Sequence, residues 1–176
     1  MSVTKWVLDP AHSELNFKIR HLMIANVTGN FKNFTSVVEA DPADFGSAKI
    51  DFTAEAASVN TNNEQRDGHL QSADFFDAEK YPEIKFEANG MKKKGDDEYD
   101  LEGNLTMHGV THPVKLKVEA GGIVKDGYGQ TKAGFSVSGK LNRKDFGLTW
   151  NALTEAGGVA VSDEVKIIAE IQYTKQ

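Results

Sequence analysis

The chain has five histidines and no cysteine. Disulfides, thiolate nucleophiles and thiolate metal sites are therefore excluded, and histidine, arginine and carboxylates must carry any chemistry. His108 and His112 lie four apart, a metal-ligand spacing only on a helix. Here they flank Gly109-Val110 in a turn between strands, no third ligand is in sight, and no His-Glu-x-x-His occurs. Turn geometry and local hydrogen bonding are expected, and no metal. His12-Ser13 looks like half of a nucleophile pair. Neighbours on a strand point to opposite faces, and no Gly-x-Ser-x-Gly elbow accompanies them, so packing or capping is expected. His21 shares the parity of Leu15, Phe17 and Ile19, which predicts an inward side chain. Such a group is either a core histidine bonded to a backbone carbonyl or a contact for a ligand. Arg66 reads most simply as an ion pair with a carboxylate, anchoring a helix; the alternative is an anion site with helix N–H groups. Asp74 and Asp77 read as helix-surface or end-capping groups. Gly127-Tyr128-Gly129 has no following helix and is a poor phosphate loop. No catalytic residue is expected.

The elements that must position these groups are written in period-two patterns. Leu15, Phe17 and Ile19 alternate with polar residues. So do the sets beginning at Ile50, Ile84, Leu101, Val114, Phe135 and Val165, while an eighth stretch, Val27 to Val38, is less regular. Each strand is apolar on one side only. Closing the sheet hides every apolar face and removes both edges. An antiparallel barrel of eight strands is just wide enough for one small ligand. Lys94-Gly95-Asp96, His108-Gly109 and Asp126-Gly127-Tyr128-Gly129 are turn signals that order the strands as a meander.

Two segments break the alternation. From Thr61 to Lys80, a Thr61/Glu64 capping box and an amphipathic pattern predict one short helix near residues 63–77, placed to plug a barrel end. From Asn142 to Glu164 there is no period; this run holds Trp150 and is a candidate mouth rim.

The 176 residues are expected to form one domain, 1–176. The net charge of -6 is interspersed, which disfavours nucleic acid. Lys92-Lys93-Lys94 meets acidic residues at once and reads as a solvated turn. No run is long enough for a membrane span, and no signal peptide is visible. The expected location is cytoplasmic, or periplasmic if a leader has been removed. The oligomeric state is open, a homodimer included.

Across essentially the whole chain these residues resemble the YceI-like family of lipocalin-like proteins. The resemblance runs from Trp6-x-Leu8-Asp9-x-x-His12-Ser13 through His21-Leu22 and Val27-x-Gly29-x-Phe31. It includes Arg66-Asp67-x-His69-Leu70-x-Ser72-x-Asp74-Phe75-Phe76-Asp77 and Pro82-x-Ile84-x-Phe86. It continues with Gly103-x-Leu105-Thr106-x-His108-Gly109-Val110-Thr111 and Arg143-x-Asp145-Phe146-Gly147-Leu148, ending at Asp163-Glu164-Val165. The helix string and the Leu-Thr-x-His-Gly-Val-Thr turn are the specific parts. Ser162 stands where the family pattern often has Gly. The resemblance implies a lipid-filled barrel without catalytic activity, and a polyisoprenoid as ligand.

The leading expectation is thus a non-enzymatic carrier or sequestering protein for a long amphipathic lipid, polyisoprenoid or quinone-like, with no cofactor. The predicted lining is Phe17, Ile19, His21, Phe31, Phe52, Phe86, Leu101, Leu105, Leu116, Phe135, Val137, Trp150 and Ile167, with His21 and Arg66 as head-group contacts. Gly29, Gly103 and Gly139 are expected to leave room for it. One alternative is an enzyme acting on a small hydrophobic substrate through His21 or a His108/His112 metal. Another is a stress-related interaction protein with a solidly packed barrel.

Overall fold

The computed structural model describes residues 3–22, 24–41, 44–150 and 161–176. Its strands β1 (Thr4–Leu8) and β2 (Glu14–His21) form one row, broken by a 3-10 turn at Pro10–His12. Strands β3 (Ala25–Phe31) and β4 (Phe34–Asp41) form the second row. Strands β5 (Asp44–Glu55) and β6 (Val59–Asn60) form the third, broken by a 3-10 turn at Ala56–Ser58. Helix α1 (Glu64–Gln71) precedes β7 (Glu83–Asn89), the short β8 (Lys92–Lys93), β9 (Glu98–Met107), β10 (Val110–Lys125), β11 (Thr131–Asn142) and β12 (Val161–Lys175).

Every pairing is antiparallel. One edge of β12 carries β11. Its other edge carries β1 at residues 173–175 and β2 at 161–170. That double pairing closes the expected eight-stranded, all-β barrel in sequential order. The stretch from Val27 to Val38 proves to be two strands, separated at residues 32–33. The first row starts at Thr4, where Trp6 and Leu8 are already buried. The turn His108-Gly109 has φ of 56° and 74° and joins Met107 to Val110. Both angles positive is the two-residue hairpin form that suits the twist of the strands.

Rings fill the base of the barrel. Trp6 meets Phe45 at 5.8 Å, Phe45 meets Phe135 at 5.4 Å, and Phe135 meets Tyr173 at 6.0 Å between centroids. Ala40, Ala48 and Ala133 make space for them. The Tyr173 hydroxyl donates to Ser36 Oγ at 2.8 Å, which donates to the Asp51 carbonyl at 2.8 Å. Burial pushes the Tyr173 phenol up to about 12.

The other end is roofed by residues 61–81. Helix α1 is capped by Asn63, whose Oδ1 accepts from the Arg66 N–H at 3.0 Å, and not by Thr61. It stops at Gln71, short of residue 77, because the Ser72 N–H and hydroxyl both bond the His69 carbonyl. A series of turns follows, in which Phe76 packs on Phe31 at 5.8 Å. Tyr81 ends the roof against His108 at 5.3 Å. Asp74 and Asp77 therefore lie beyond the helix, and Asp74 accepts from His69 Nε2 at 2.9 Å.

Gly29, Gly103 and Gly139 do not leave room for a ligand. A Cβ on Gly29 would sit 2.4 Å from the Phe17 ring, on Gly103 2.6 Å from the Phe86 ring, and on Gly139 2.4 Å from Leu116. Each is a seat for a neighbouring side chain. On Gly103 the Cβ would also lie 2.6 Å from the Glu87 carbonyl oxygen, which cannot move aside. Gly103→Ala is expected to destabilise the protein by about 1–3 kcal/mol in urea unfolding. Gly134→Ala, which meets nothing within 4 Å, should be neutral or stabilising by up to about 1 kcal/mol.

Candidate functional site: an apolar cavity in the barrel

Between base and roof lies a cavity of about 280 Å³. This is close to the lower end of small-ligand pockets, roughly 300–1,000 Å³. Its wall is almost entirely carbon. Phe17, Ile19, Phe31, Phe52, Phe86, Leu101, Leu105, Leu116, Phe135, Val137 and Ile167 all line it from the strands. Leu70, Phe75 and Phe76 line it from the roof, together with Thr61 and Arg66, and Arg143 and Leu148 add to the wall. Ile50, Phe52, Leu116, Val137 and Ile167 are inward-facing yet only half-buried, so the cavity leaves part of their surface free of contacts.

The polar candidates fall into place differently from expectation. His21 lines the cavity, but at its lip: it ends β2, is exposed, and pairs with Ala25 and Val161. It is not a core histidine, because the strand row stops there and leaves it exposed. Arg66 forms no carboxylate ion pair among the described residues. Its Nε donates to Thr61 Oγ1 at 2.8 Å and its Nη2 to the Thr61 carbonyl at 2.7 Å. The Thr61 hydroxyl and N–H donate in turn to Asp67 Oδ1 at 2.6 and 2.8 Å. Thr61 is thus the hub that ties α1 to β6. Trp150 does not line the cavity. Its ring packs on His69 at 4.7 Å and Phe75 at 5.3 Å, one layer further out. The rest of the proposed rim, residues 151–160, lies outside the described residues.

The remaining histidines have local roles. Asp9 caps the turn between β1 and β2, accepting from the Ala11 N–H at 3.1 Å, His12 Nδ1 at 2.8 Å and Lys132 Nζ at 3.0 Å. Its hydrogen bonds to His12, then to Lys132, hold its carboxyl below the usual range. Ser13 bonds Gln172 instead of His12. His108 Nδ1 donates to the Phe146 carbonyl at 3.1 Å and His112 Nδ1 to the Pro113 carbonyl at 2.9 Å. Among the described residues no three His, Asp or Glu gather as a metal site.

Arg143 is the buried structural residue that the alternation pattern did not single out. It is 3% exposed. Its Nη1 donates to the Leu148 and Trp150 carbonyls at 2.6 and 2.8 Å; its Nε donates to the Ser162 carbonyl at 2.8 Å. Nη2 reaches the Val161 carbonyl at 3.3 Å and lies 3.9 Å from Asp163. One guanidinium fork therefore fastens the chain on both sides of residues 151–160. Burial draws its pKa below the usual value, and Asp163 opposes this. The signal was in the sequence: Arg143 continues the inward parity of Val137, Gly139 and Leu141.

Comparison with known proteins agrees with this architecture. The profile of the YceI-like domain matches residues 6–173. The chain belongs to the YceI-like family. A UPF0312 protein of Staphylococcus aureus (strain N315) is 37% identical over 173 residues, covering 98% of each chain. The YceI protein of Campylobacter jejuni, a solved structure, is 39% identical with a TM-score of 0.77, covering 90% of this chain and 91% of that one. BcnA of Burkholderia cenocepacia shares the fold at 23% identity with a TM-score of 0.80, over 94% of this chain and 98% of its own. A polyisoprenoid-binding domain from Saccharophagus degradans shares it at 17% identity with a TM-score of 0.72, over 97% and 98% respectively.

Replacing Arg143 tests its role in this YceI-like barrel. Arg143→Leu strands the buried Leu148 carbonyl and the part-buried Trp150, Val161 and Ser162 carbonyls and is expected to cost about 2–4 kcal/mol in urea unfolding. Arg143→Lys should recover little of that, since a single ammonium cannot serve carbonyls on two separate segments.

Proposed function

We propose that this protein is a non-enzymatic binding protein that carries or sequesters a long amphipathic lipid, polyisoprenoid or quinone-like, in the barrel cavity. The observation that carries this reading is the carbon-walled cavity with cationic and imidazole groups at its margins. Burial of each tail methylene is worth about 0.8 kcal/mol, so a few isoprene units outweigh any single polar contact. Tail burial then supplies affinity, and the margin groups select the head. His21 at the lip and the Arg66 guanidinium, with Nη1 not used on Thr61, are the proposed head-group contacts. The polyisoprenoid-binding domain from Saccharophagus degradans shares the fold, and its ligand is in keeping with this chemistry. The His108/His112 pair of the enzyme alternative is engaged elsewhere, each ring bonded to a backbone carbonyl.

Val137 lines the cavity and is only half-buried. Val137→Trp is expected to fill the space and reduce uptake of both farnesol and squalene at least tenfold while the barrel stays folded. His21→Leu is expected to weaken farnesol by about fivefold and leave squalene unchanged. Fluorescence-displacement titration with parallel thermal unfolding reads these outcomes. Undiminished uptake by folded Val137→Trp would rule out the cavity as the binding site. Equal losses of both ligands in His21→Leu would remove the head-group role.

A further inference from the structure

The turn joining β2 to β3 has an unusual composition. Among the described residues, four that are not glycine have left-handed φ: Leu22 at 53°, Asn62 at 61°, Asp77 at 48° and His108 at 56°. Asn, Asp and His are the types that tolerate this region, and Leu is not. Leu22 is 41% exposed, and Ile24, at the other side of the turn, is 80% exposed. Two large apolar residues thus occupy a hairpin tip, where polar turn formers are the rule. The tip adjoins the cavity: His21, Ile19 and Val27 line its wall immediately behind.

The outer face of β2 and of its neighbours β12 and β11 carries a basic row. Lys140 pairs with Lys166, and Lys166 with Lys18, placing three lysines side by side across β11, β12 and β2. Directly opposed like charges destabilise a sheet. Arg20, also exposed, follows Lys18 towards the tip. Among the described residues, Glu164, 3.9 Å from Lys140, and Asp163, 3.4 Å from Lys144, are nearby carboxylates, and Glu14 and Glu170 pair further down. In a chain of net charge -6, this row is a local excess of positive charge.

We propose that the β2–β3 hairpin docks the barrel mouth onto an anionic lipid bilayer. Leu22 and Ile24 enter the boundary between headgroups and acyl chains, and Lys18, Lys166, Lys140 and Arg20 face the headgroups. An inserted tip gives a lipid tail an apolar path into the cavity past Ile19 and Val27. The proposal rests on the lipid-binding reading for its purpose, but vesicle binding is measured without any cavity ligand.

The test is co-sedimentation of the full chain with phosphatidylcholine vesicles, with and without about one-third phosphatidylglycerol. Wild type is expected to bind the mixed vesicles. Leu22→Asn/Ile24→Asn should reduce binding at least tenfold. Asn suits the left-handed turn, so this variant should fold at least as stably. Lys18→Glu/Lys166→Glu should lose at least tenfold on the mixed vesicles and little on phosphatidylcholine alone. The control is Val124→Asn/Tyr128→Asn on the β10–β11 hairpin at the opposite end, where those residues are 64% and 93% exposed. It should bind like wild type. Equal losses from both ends, or no loss from the Leu22/Ile24 pair, overturns the proposal. Farnesol uptake from solution reports on the cavity alone. Uptake without vesicle binding overturns docking and leaves the lipid reading standing; vesicle binding without uptake supports docking and counts against the cavity as the lipid site.

Discussion

Strands that are apolar on one face only must find a way to bury that face without leaving an edge. In this chain β12 solves the problem. Its fifteen residues pair with β11 on one side and with β1 and β2 in succession on the other. The break between β1 and β2 at Pro10–His12 lets the first row bend around the barrel and resets its register on β12, from Leu8 opposite Tyr173 to Glu14 opposite Glu170, and Asp9 secures that bend to Lys132 on β11. Closure also fixes which side chains meet inside, because Val165, Ile167, Ala169, Ile171 and Tyr173 all project inward from the closing strand.

Whether the enclosed space is core or cavity depends on side-chain volume at each level. At the base, four rings and several alanines interlock. Midway, half-buried Leu116, Val137 and Ile167 face a cavity of about 280 Å³. The roof of residues 61–81 covers the far end with Leu70, Phe75 and Phe76. A carbon wall gains little from a polar ligand and much from a hydrocarbon tail, and the polar groups stand at the margins, where a head would meet water.

Much of the fold was legible because period-two alternation follows directly from one-sided burial. The cavity wall was legible for the same reason, from Phe17 to Ile167. What pattern reading lost were the places where alternation stops being the governing rule. His21 kept inward parity but lay at a strand end, where it is exposed. The helix pattern ran on to Asp77, yet side-chain bonds from Ser72 ended it at Gln71. Trp150 packed edge-on against His69 and tilted against Phe75 instead of reaching the cavity. Glycines that suggested empty space were seats for Phe17, Phe86 and Leu116, a consequence of cross-strand neighbours that no single-strand pattern contains. Arg143 is the reverse case: parity pointed it inward, and its charge disguised a structural role.

The central claim is that the cavity holds lipid. Organic extraction of protein purified without added lipid or detergent, followed by mass spectrometry, tests it most directly. A long-chain amphipathic lipid recovered in near-stoichiometric amount, and absent from extracts of Val137→Trp, is the result this structure predicts. Folded wild-type protein that yields no lipid above background, and takes up none when polyprenol is supplied, would contradict it.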